Sequence, residues 1–457
     1  MNLSDIVTAI NKAECELNGC FNYLMAFKHG KLDNADPILL FQPKLADCLY
    51  ELMKVYQSIC KEEQSFIIKK GIYDATDFSD RMAECAKYKD AIKILIDIGK
   101  ALGDGFAWFF YKDSQQELDK QFNHKDNGLF PLGIGGKGEI EFIRSNQNLG
   151  GYFTLYHSIT NMLRIGDFSL CTIDGKLVGV GELKSERQGN VLCINAYITS
   201  KVVIKAIDNP EETIRNVVPN PERLQRQLQQ QEGFLKKEKI SGFKADIVTD
   251  YQYDLIDKAL SSNNMVSISD DKSMLVLLIR EGGNLSSILL NDNNLDESYV
   301  KIIQTAVQEI IINGCSYNSL HFGVIDLKMS PFRKPIIWWE LNDEIIKQII
   351  FKQLQVLTVV NLGHFYDRLE KMGYTIEETD TTVKNGMYRI SRKMGKGVSR
   401  LEEPKMFIDL IYHDFIKMDT IIDTIDKYIN EAAGLGRGNI KVNLCLHQNT
   451  FGRPSAG

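Results

Sequence analysis

Ile165-Gly166-Asp167-Phe168-Ser169-Leu170-Cys171-Thr172-Ile173-Asp174-Gly175-Lys176-Leu177-Val178-Gly179-Val180-Gly181-Glu182-Leu183-Lys184-Ser185-Glu186 has the pattern of two β-strands joined by a tight turn. Asp174-Gly175 is a strong two-residue hairpin signal, because a type I′ turn needs positive φ at both positions. With those two residues as the loop, cross-strand partners have numbers summing to 349, and Asp167 and Glu182 form such a pair. Their Cβ atoms would stand ~4.5–5.5 Å apart. Alternation places Lys184 on the face of Glu182, one pleat further on. The other face carries Phe168 and Leu170 with Leu177, Gly179, Gly181 and Leu183, and its glycines allow a neighbouring element to come close.

Like charges directly opposite one another destabilise a sheet, so something positive is expected between the two acids. One Mg²⁺ (or Mn²⁺) ion fits, being hard and suited to carboxylate oxygens. The metal ligands would be Asp167, Glu182 and the main-chain carbonyl of Leu183. Lys184 could orient the attacking water or stabilise charge developing at phosphorus. Two acids, a carbonyl and a lysine make a compact kit for phosphodiester hydrolysis. The competing reading is a plain Glu182–Lys184 or Asp167–Lys184 ion pair, since ExK arises often by chance. A one-residue bulge would put the acids on opposite faces.

At these residues the sequence resembles the PD-(D/E)XK nuclease superfamily. That family carries an Asp at the start of one strand and (D/E)xK on the next, after a helix that often supplies another acid. Asp167, Glu182 and Lys184 match, with Gly166 where the family signature has Pro. The resemblance covers roughly 139–250 and implies a restriction-endonuclease-like core. Within Gly138–Asn146, which resembles the upstream helix, Glu139 is the first choice for the extra acid and Glu141 the second. Arg223–Leu228 resembles the downstream helix, where Gln227 would match. The order of acidic helix, Asp, Glu-Leu-Lys and Gln helix looks most like the Shedu-type defence nucleases of bacteria. That implies cleavage of phage or other foreign DNA by a homo-oligomer or together with a defence-system partner protein.

The rest of the chain is compatible with such an enzyme. Of 457 residues, 44% are hydrophobic and 25% charged, which excludes a collagen, a disulfide miniprotein and a disordered tail. The net charge of -6 excludes a protein that coats nucleic acid with its whole surface, so DNA contacts must be local. Nine cysteines without a CxxC pair point to a reducing, cytoplasmic setting. No stretch approaches the ~20 apolar residues needed to span a bilayer, and the first residues do not read as a signal peptide.

The expected organisation is α/β: a helical domain over 1–115, a linker over 116–138, the nuclease-like domain over 139–285 and an α+β domain over 286–457. Helices are expected near 138–146, 152–163, 221–237, 251–260, 299–312, 343–372 and 405–429. Strands are expected at 166–173, 176–185, 191–200, 243–249, 274–279, 319–327 and 335–341, and a loose tail after 434. Two basic segments could hold a phosphate backbone. One lies on the Gln-rich helix (Arg223, Arg226) and continues to Lys239. The other is a hairpin-like run containing Arg389, Arg392, Lys393 and Lys396. His157 is close enough in sequence to reach the site, although an ordinary structural histidine is the simpler reading. Asp326-Leu327-Lys328 reads as a strand end. The alternative to an enzyme is an inactive nuclease-fold protein that serves as a nucleic-acid-binding or partner-binding scaffold.

Overall fold

The structure, a computed structural model, describes residues 3–30, 36–112, 114–122, 132–172, 174–189, 191–200, 221–235, 242–248, 250–281, 301, 304–305, 307–310, 320–329, 333–378, 388–394, 397–401, 404–434 and 441–447. It is mixed α/β. Three long helices, α1 (Leu3–Lys28), α2 (Asp36–Ile68) and α3 (Ala75–Tyr111), pack side by side. The helical spacing of Ile6, Ile10, Ala13 and Leu17 puts all four in the shared core, where they meet Leu45, Leu49 and Leu95. Asp74 caps α3 by accepting from the Asp77 amide.

Two short helices follow, α4 (Gln115–Phe122) and α5 (Ile134–Ser145). The segment read as a linker over 116–138 is therefore largely helical where described. Gly133, at φ 99°, is the N-cap of α5, and Gly135, Gly136 and Gly138 are its first turns.

A five-stranded antiparallel sheet comes next, in order β1 (Asn148–Leu149), β2 (Tyr152–Tyr156), β3 (Phe168–Cys171), β4 (Leu177–Gln188) and β5 (Val191–Ser200). The helix expected over 152–163 is instead β2 and the loop after it. Thr154 and Tyr156 of β2 are held from the side by the buried Gln42 of α2. Its Nε2 donates to the Thr154 carbonyl (2.8 Å) and its Oε1 accepts from the Tyr156 amide (3.0 Å). Tertiary hydrogen bonding of this kind overrides local helical spacing. Helix α6 (Pro221–Leu235) packs on β4 and β5.

The boundary expected at 285 runs through a single sheet. Strands β7 (Val266–Ile268), β8 (Met274–Arg280), β10 (Leu354–Asn361) and β9 (Leu320–Val324) pair in that order, so residues 274–280 lie against 354–361. Helix α7 (Asp254–Ser261) packs on β7 and β8, and helix α8 (Asp343–Ile350) on β10. The long helix expected over 343–372 is thus α8, the buried strand β10 and helix α9 (Gly363–Lys371). The apolar run 354–360 suits strand and helix alike until a neighbour takes up its backbone. The segment 335–341 holds a 3-10 turn at Ile336–Trp338, not a strand.

The expected hairpin is present as β12 (Tyr388–Met394) and β13 (Gly397–Leu401), joined by β11 (Thr375–Glu378) in a three-stranded sheet. The helix expected over 405–429 is broken into α10 (Pro404–Tyr412) and α11 (Met418–Gly434), with Phe415 at φ 58° between them. The tail expected to be loose contains β14 (Lys441–His447), which pairs in parallel with β6 (Gly242–Val248).

One apolar core runs from the helical layer through the five-stranded sheet into the C-terminal elements. Its aromatic seam includes Phe27, Phe106, Phe109, Phe110, Phe153 and Trp338, with Phe110 and Phe153 stacked at 5.0 Å. Helix α3 is the spine of this arrangement. A Cβ on Gly103 would lie 1.9 Å from the Ile159 carbonyl oxygen, and Trp338 donates its indole N–H to the Gly105 carbonyl (2.7 Å). Gly103→Ala should therefore cost about 1–3 kcal/mol, read as a lower urea midpoint with an unchanged slope.

Asp414 is fully buried near Arg333 (3.8 Å), and burial pushes its carboxyl up to about 7 from the usual 3.8. The fold thus holds a proton there that the unfolded chain releases, so this group favours folding at low pH and the contribution fades as pH rises from 3.8 towards about 7. Asp414→Asn should flatten that part of the Tm-against-pH curve; an unchanged curve would show that Asp414 titrates normally.

Candidate active site

The β3–β4 ladder takes up the expected register by a different route but ends at Phe168–Gly181, so Asp167 and Glu182 are not a ladder pair. Phe168 faces Gly181, Ser169 faces Val180 and Leu170 faces Gly179, all in the register that sums to 349. Nearer the turn, Cys171 faces Leu177 and the Thr172 amide bonds to the Lys176 carbonyl, one residue out of that register. Gly175 has φ 82°. The connection is therefore not the type I′ turn expected from Asp174-Gly175. It is a wider turn followed by a bulge at Val178, and the two offsets cancel before the acids are reached.

Asp167 ends the ladder at the mouth of β3. Its amide donates to the Gly181 carbonyl (2.8 Å), and its carbonyl accepts from the His157 amide (3.0 Å). Its Oδ2 accepts from the Leu183 amide at 2.6 Å. Because N–H and C=O of one strand residue point the same way across a sheet, the Leu183 carbonyl also faces the Asp167 side. Gly166 sits at φ 81°, which proline's fixed ring cannot adopt, and a Cβ there would lie 2.7 Å from the Gly181 carbonyl oxygen. Local backbone geometry thus accounts for Gly in place of the family's Pro.

Glu182 is 5% exposed, and Lys184 reaches it with Nζ 2.6 Å from Oε1. Helix α6 supplies two amides to the same carboxylate. Gln227 Nε2 donates to Oε1 at 2.5 Å, and Gln231 Nε2 approaches Oε2 at 3.5 Å. Gln231 is oriented by the Thr199 hydroxyl of β5, which donates to its Oε1 (3.1 Å). Gln231 had not been singled out from the sequence, although its i+4 spacing from Gln227 puts the two on one helix face.

On the other side, α5 crosses β4 at Gly138, where a Cβ would lie 1.9 Å from the Ser185 Oγ. This close crossing brings in Glu139, which is buried and near enough for its charge to act on Asp167. Glu141 points elsewhere, exposed and paired with Arg144 at 2.6 Å. The Phe168 ring covers Gly181 and packs against Phe142 of α5 (5.8 Å between centroids), which explains the glycine-rich face of β4.

The electrostatics are unbalanced. Burial first, then the negative charges of Glu182 and Glu139, hold the Asp167 carboxyl well above the ordinary carboxylate range; the Leu183 amide and Lys184 oppose this only in part. Among the described residues Lys184 is the ammonium paired with Glu182, and the groups that could face a metal there are carboxylate and carbonyl oxygens. A hard divalent cation suits that set. Asp167, Glu182 and the Leu183 carbonyl are the groups that would hold it, although among the described residues no ready cluster of three or more His, Cys, Asp and Glu side chains is formed.

The basic residues divide. Arg226 is exposed on α6, one position from Gln227. Lys393 is exposed on β12, in a different sheet. Arg392 beside it is engaged by Asp426 (2.6 Å) and lies over the Tyr374 ring (5.0 Å). Lys396 lies outside the described residues. Asp326 accepts from Arg333 (2.6 Å) and from the Lys328 amide, in keeping with a structural role. Compared with known proteins, the chain matches no family model, no curated protein and no solved structure.

Asp167→Asn keeps an oxygen for the Leu183 amide and removes one of the crowded charges. The variant should melt above the wild type at neutral pH in metal-free buffer. The gap should close as pH falls and the wild-type carboxyl takes up its proton. Equal melting temperatures across that range would mean that the three acids do not repel one another.

Proposed function

We propose that the protein is a metal-dependent nuclease that hydrolyses phosphodiester bonds of DNA, at a centre built on Asp167, Glu182 and Lys184. The observation that carries this reading is the meeting of those residues, from two strands, with Glu139 from the helix before and Gln227 from the helix after. This is the same order along the chain in which the PD-(D/E)XK resemblance places an acid, Asp, Glu, Lys and Gln.

Asp167, Glu182 and the Leu183 carbonyl would bind Mg²⁺ or Mn²⁺, with Glu139 adding negative potential. A bound ion would supply charge neutralisation at the scissile phosphate and would lower the pKa of water. Lys184, fixed by Glu182, holds the attacking water in line and offsets the charge that builds on the phosphoryl oxygens. Water adds to phosphorus, the bond to the leaving oxygen breaks, and that oxygen takes up a proton. Gln227 and Gln231 hold the Glu182 carboxylate in one orientation. Arg226, exposed on the same helix, would steer a phosphate backbone toward the centre, and Lys393 would make a more distant contact. In a cell, such an enzyme would act against foreign DNA.

Purified wild-type protein should nick supercoiled plasmid with Mg²⁺ or Mn²⁺ and stop when EDTA is added. Lys184→Ala should lower the cleavage rate about 100-fold or more. Cleavage that survives both EDTA and Lys184→Ala would overturn the mechanism. Binding of DNA or a partner without cleavage of any nucleic acid would favour the scaffold reading.

A further inference from the structure

The loop from His157 to Gly166, which delivers Asp167 to the site, makes its side-chain hydrogen bonds largely to the helical layer. Lys100 of α3, 2% exposed, donates to the Thr160 carbonyl (3.0 Å). Asp104 of α3, fully buried, accepts from two successive amides through one oxygen, Asn161 at 2.7 Å and Met162 at 2.9 Å. Gln121 of α4, also fully buried, repeats the device three residues on, its Oε1 accepting from Arg164 (2.6 Å) and Ile165 (2.7 Å). The Arg164 guanidinium returns to the Phe122 carbonyl at 3.0 Å.

A relay closes the far end. His157 Nδ1 donates to the Gly166 carbonyl (3.0 Å), and its Nε2 lies 2.7 Å from the Ser169 hydroxyl. The Ser169 hydroxyl is hydrogen-bonded in turn to the Tyr111 hydroxyl of α3 (2.7 Å). The residues before, at and after Asp167 are thus fastened either to α3 and α4 or to a histidine that α3 orients.

We propose that the N-terminal helical layer is a template that sets the position of Asp167, with Asp104, Gln121 and Tyr111 as positioning residues acting through this loop. The proposal deepens the nuclease reading and rests on it for its catalytic consequence. Movement of α3 or α4 relative to the sheet, for instance on binding a partner, would then switch the metal site without touching it. The physical reason is that the loop leading into Asp167 takes its hydrogen bonds from α3 and α4, and each paired amide there loses its partner if the helix withdraws.

The test compares Gln121→Leu and Tyr111→Phe with one control, Tyr374→Phe, which removes a hydrogen bond to Asp426 of α11, away from the loop. Gln121→Leu should lower kcat for plasmid cleavage by on the order of 10–100-fold. Its KM for DNA should stay within about twofold, because the phosphate contacts are untouched. Tyr111→Phe should show a smaller loss in the same direction, and the control should remain near the wild type.

Amide hydrogen exchange at Leu183 supplies a readout independent of turnover, since that N–H is bonded to Asp167 Oδ2. It should exchange faster in Gln121→Leu and Tyr111→Phe than in Tyr374→Phe. If the wild type does not cleave DNA, the nuclease reading fails and the Leu183 exchange rates alone decide the positioning role. If the wild type cleaves and Gln121→Leu has the wild-type kcat and Leu183 exchange rate, the template is overturned. Should Gln121→Leu not fold, Tyr111→Phe, which removes one hydroxyl, decides on the same two readouts.

Discussion

The carboxylate of Asp167 is held by the amide of Leu183, and much else in the site depends on that bond. It ties the end of β3 to the middle of β4 just beyond the last ladder pair, where two acids come close in a buried setting. Glycine at 166 permits the backbone turn into it, and glycine at 181 permits the Phe168 ring to seal the opposite face. Without the Leu183 N–H, burial and the charges of Glu182 and Glu139 would have still less opposing them at Asp167. A fold that keeps such a cluster gives up stability at that point, and sites that bind cations and do chemistry are where this trade is commonly found.

The surrounding elements divide the work by chemistry. Helix α5 brings an acid in through a glycine crossing. Helix α6 brings neutral amides that pin Glu182 without cancelling its charge. Lys184 supplies an ammonium to Glu182. The helical layer fixes the loop that carries Asp167. At the loop, Asp104 Oδ1 and Gln121 Oε1 each accept from two consecutive N–H groups, an arrangement that resists sliding by a residue in either direction.

Part of this was legible in the residues themselves. The turn signal at Asp174-Gly175 and the period of two put Glu182 and Lys184 on one face; Asp167, just beyond the ladder, meets β4 through its Oδ2 and the Leu183 amide instead of standing opposite Glu182 as a ladder partner. The i+4 spacing in the Gln-rich segment likewise allowed Gln227 to be named. The turn itself was misread, because Asp-Gly fits several loop lengths and the bulge at Val178 leaves no mark in composition. Gly133–Gly138 was read as a linker because its glycines lack side chains that show a period; their purpose is the close approach to Ser185, which exists only once β4 is in place.

Elsewhere the limits have the same cause. Tyr152–Tyr156 and Leu354–Asn361 are short apolar runs whose spacing suits helix or strand, and Gln42 in one case and the flanking strands β8 and β9 in the other take up their backbone groups. The pairing of β8 with β10 and of β6 with β14 joins residues far apart along the chain, which no local pattern encodes. The sequence by itself determined the helical N-terminal layer, the hairpin and its face of acids and lysine, because those follow from periods of 3.6 and 2. Only the tertiary structure decided that Glu139 rather than Glu141 joins the site, that Gln231 works beside Gln227, and that α3 and α4 hold the loop before Asp167. Each of those outcomes depends on where one element crosses another, and that is set by packing of the whole core.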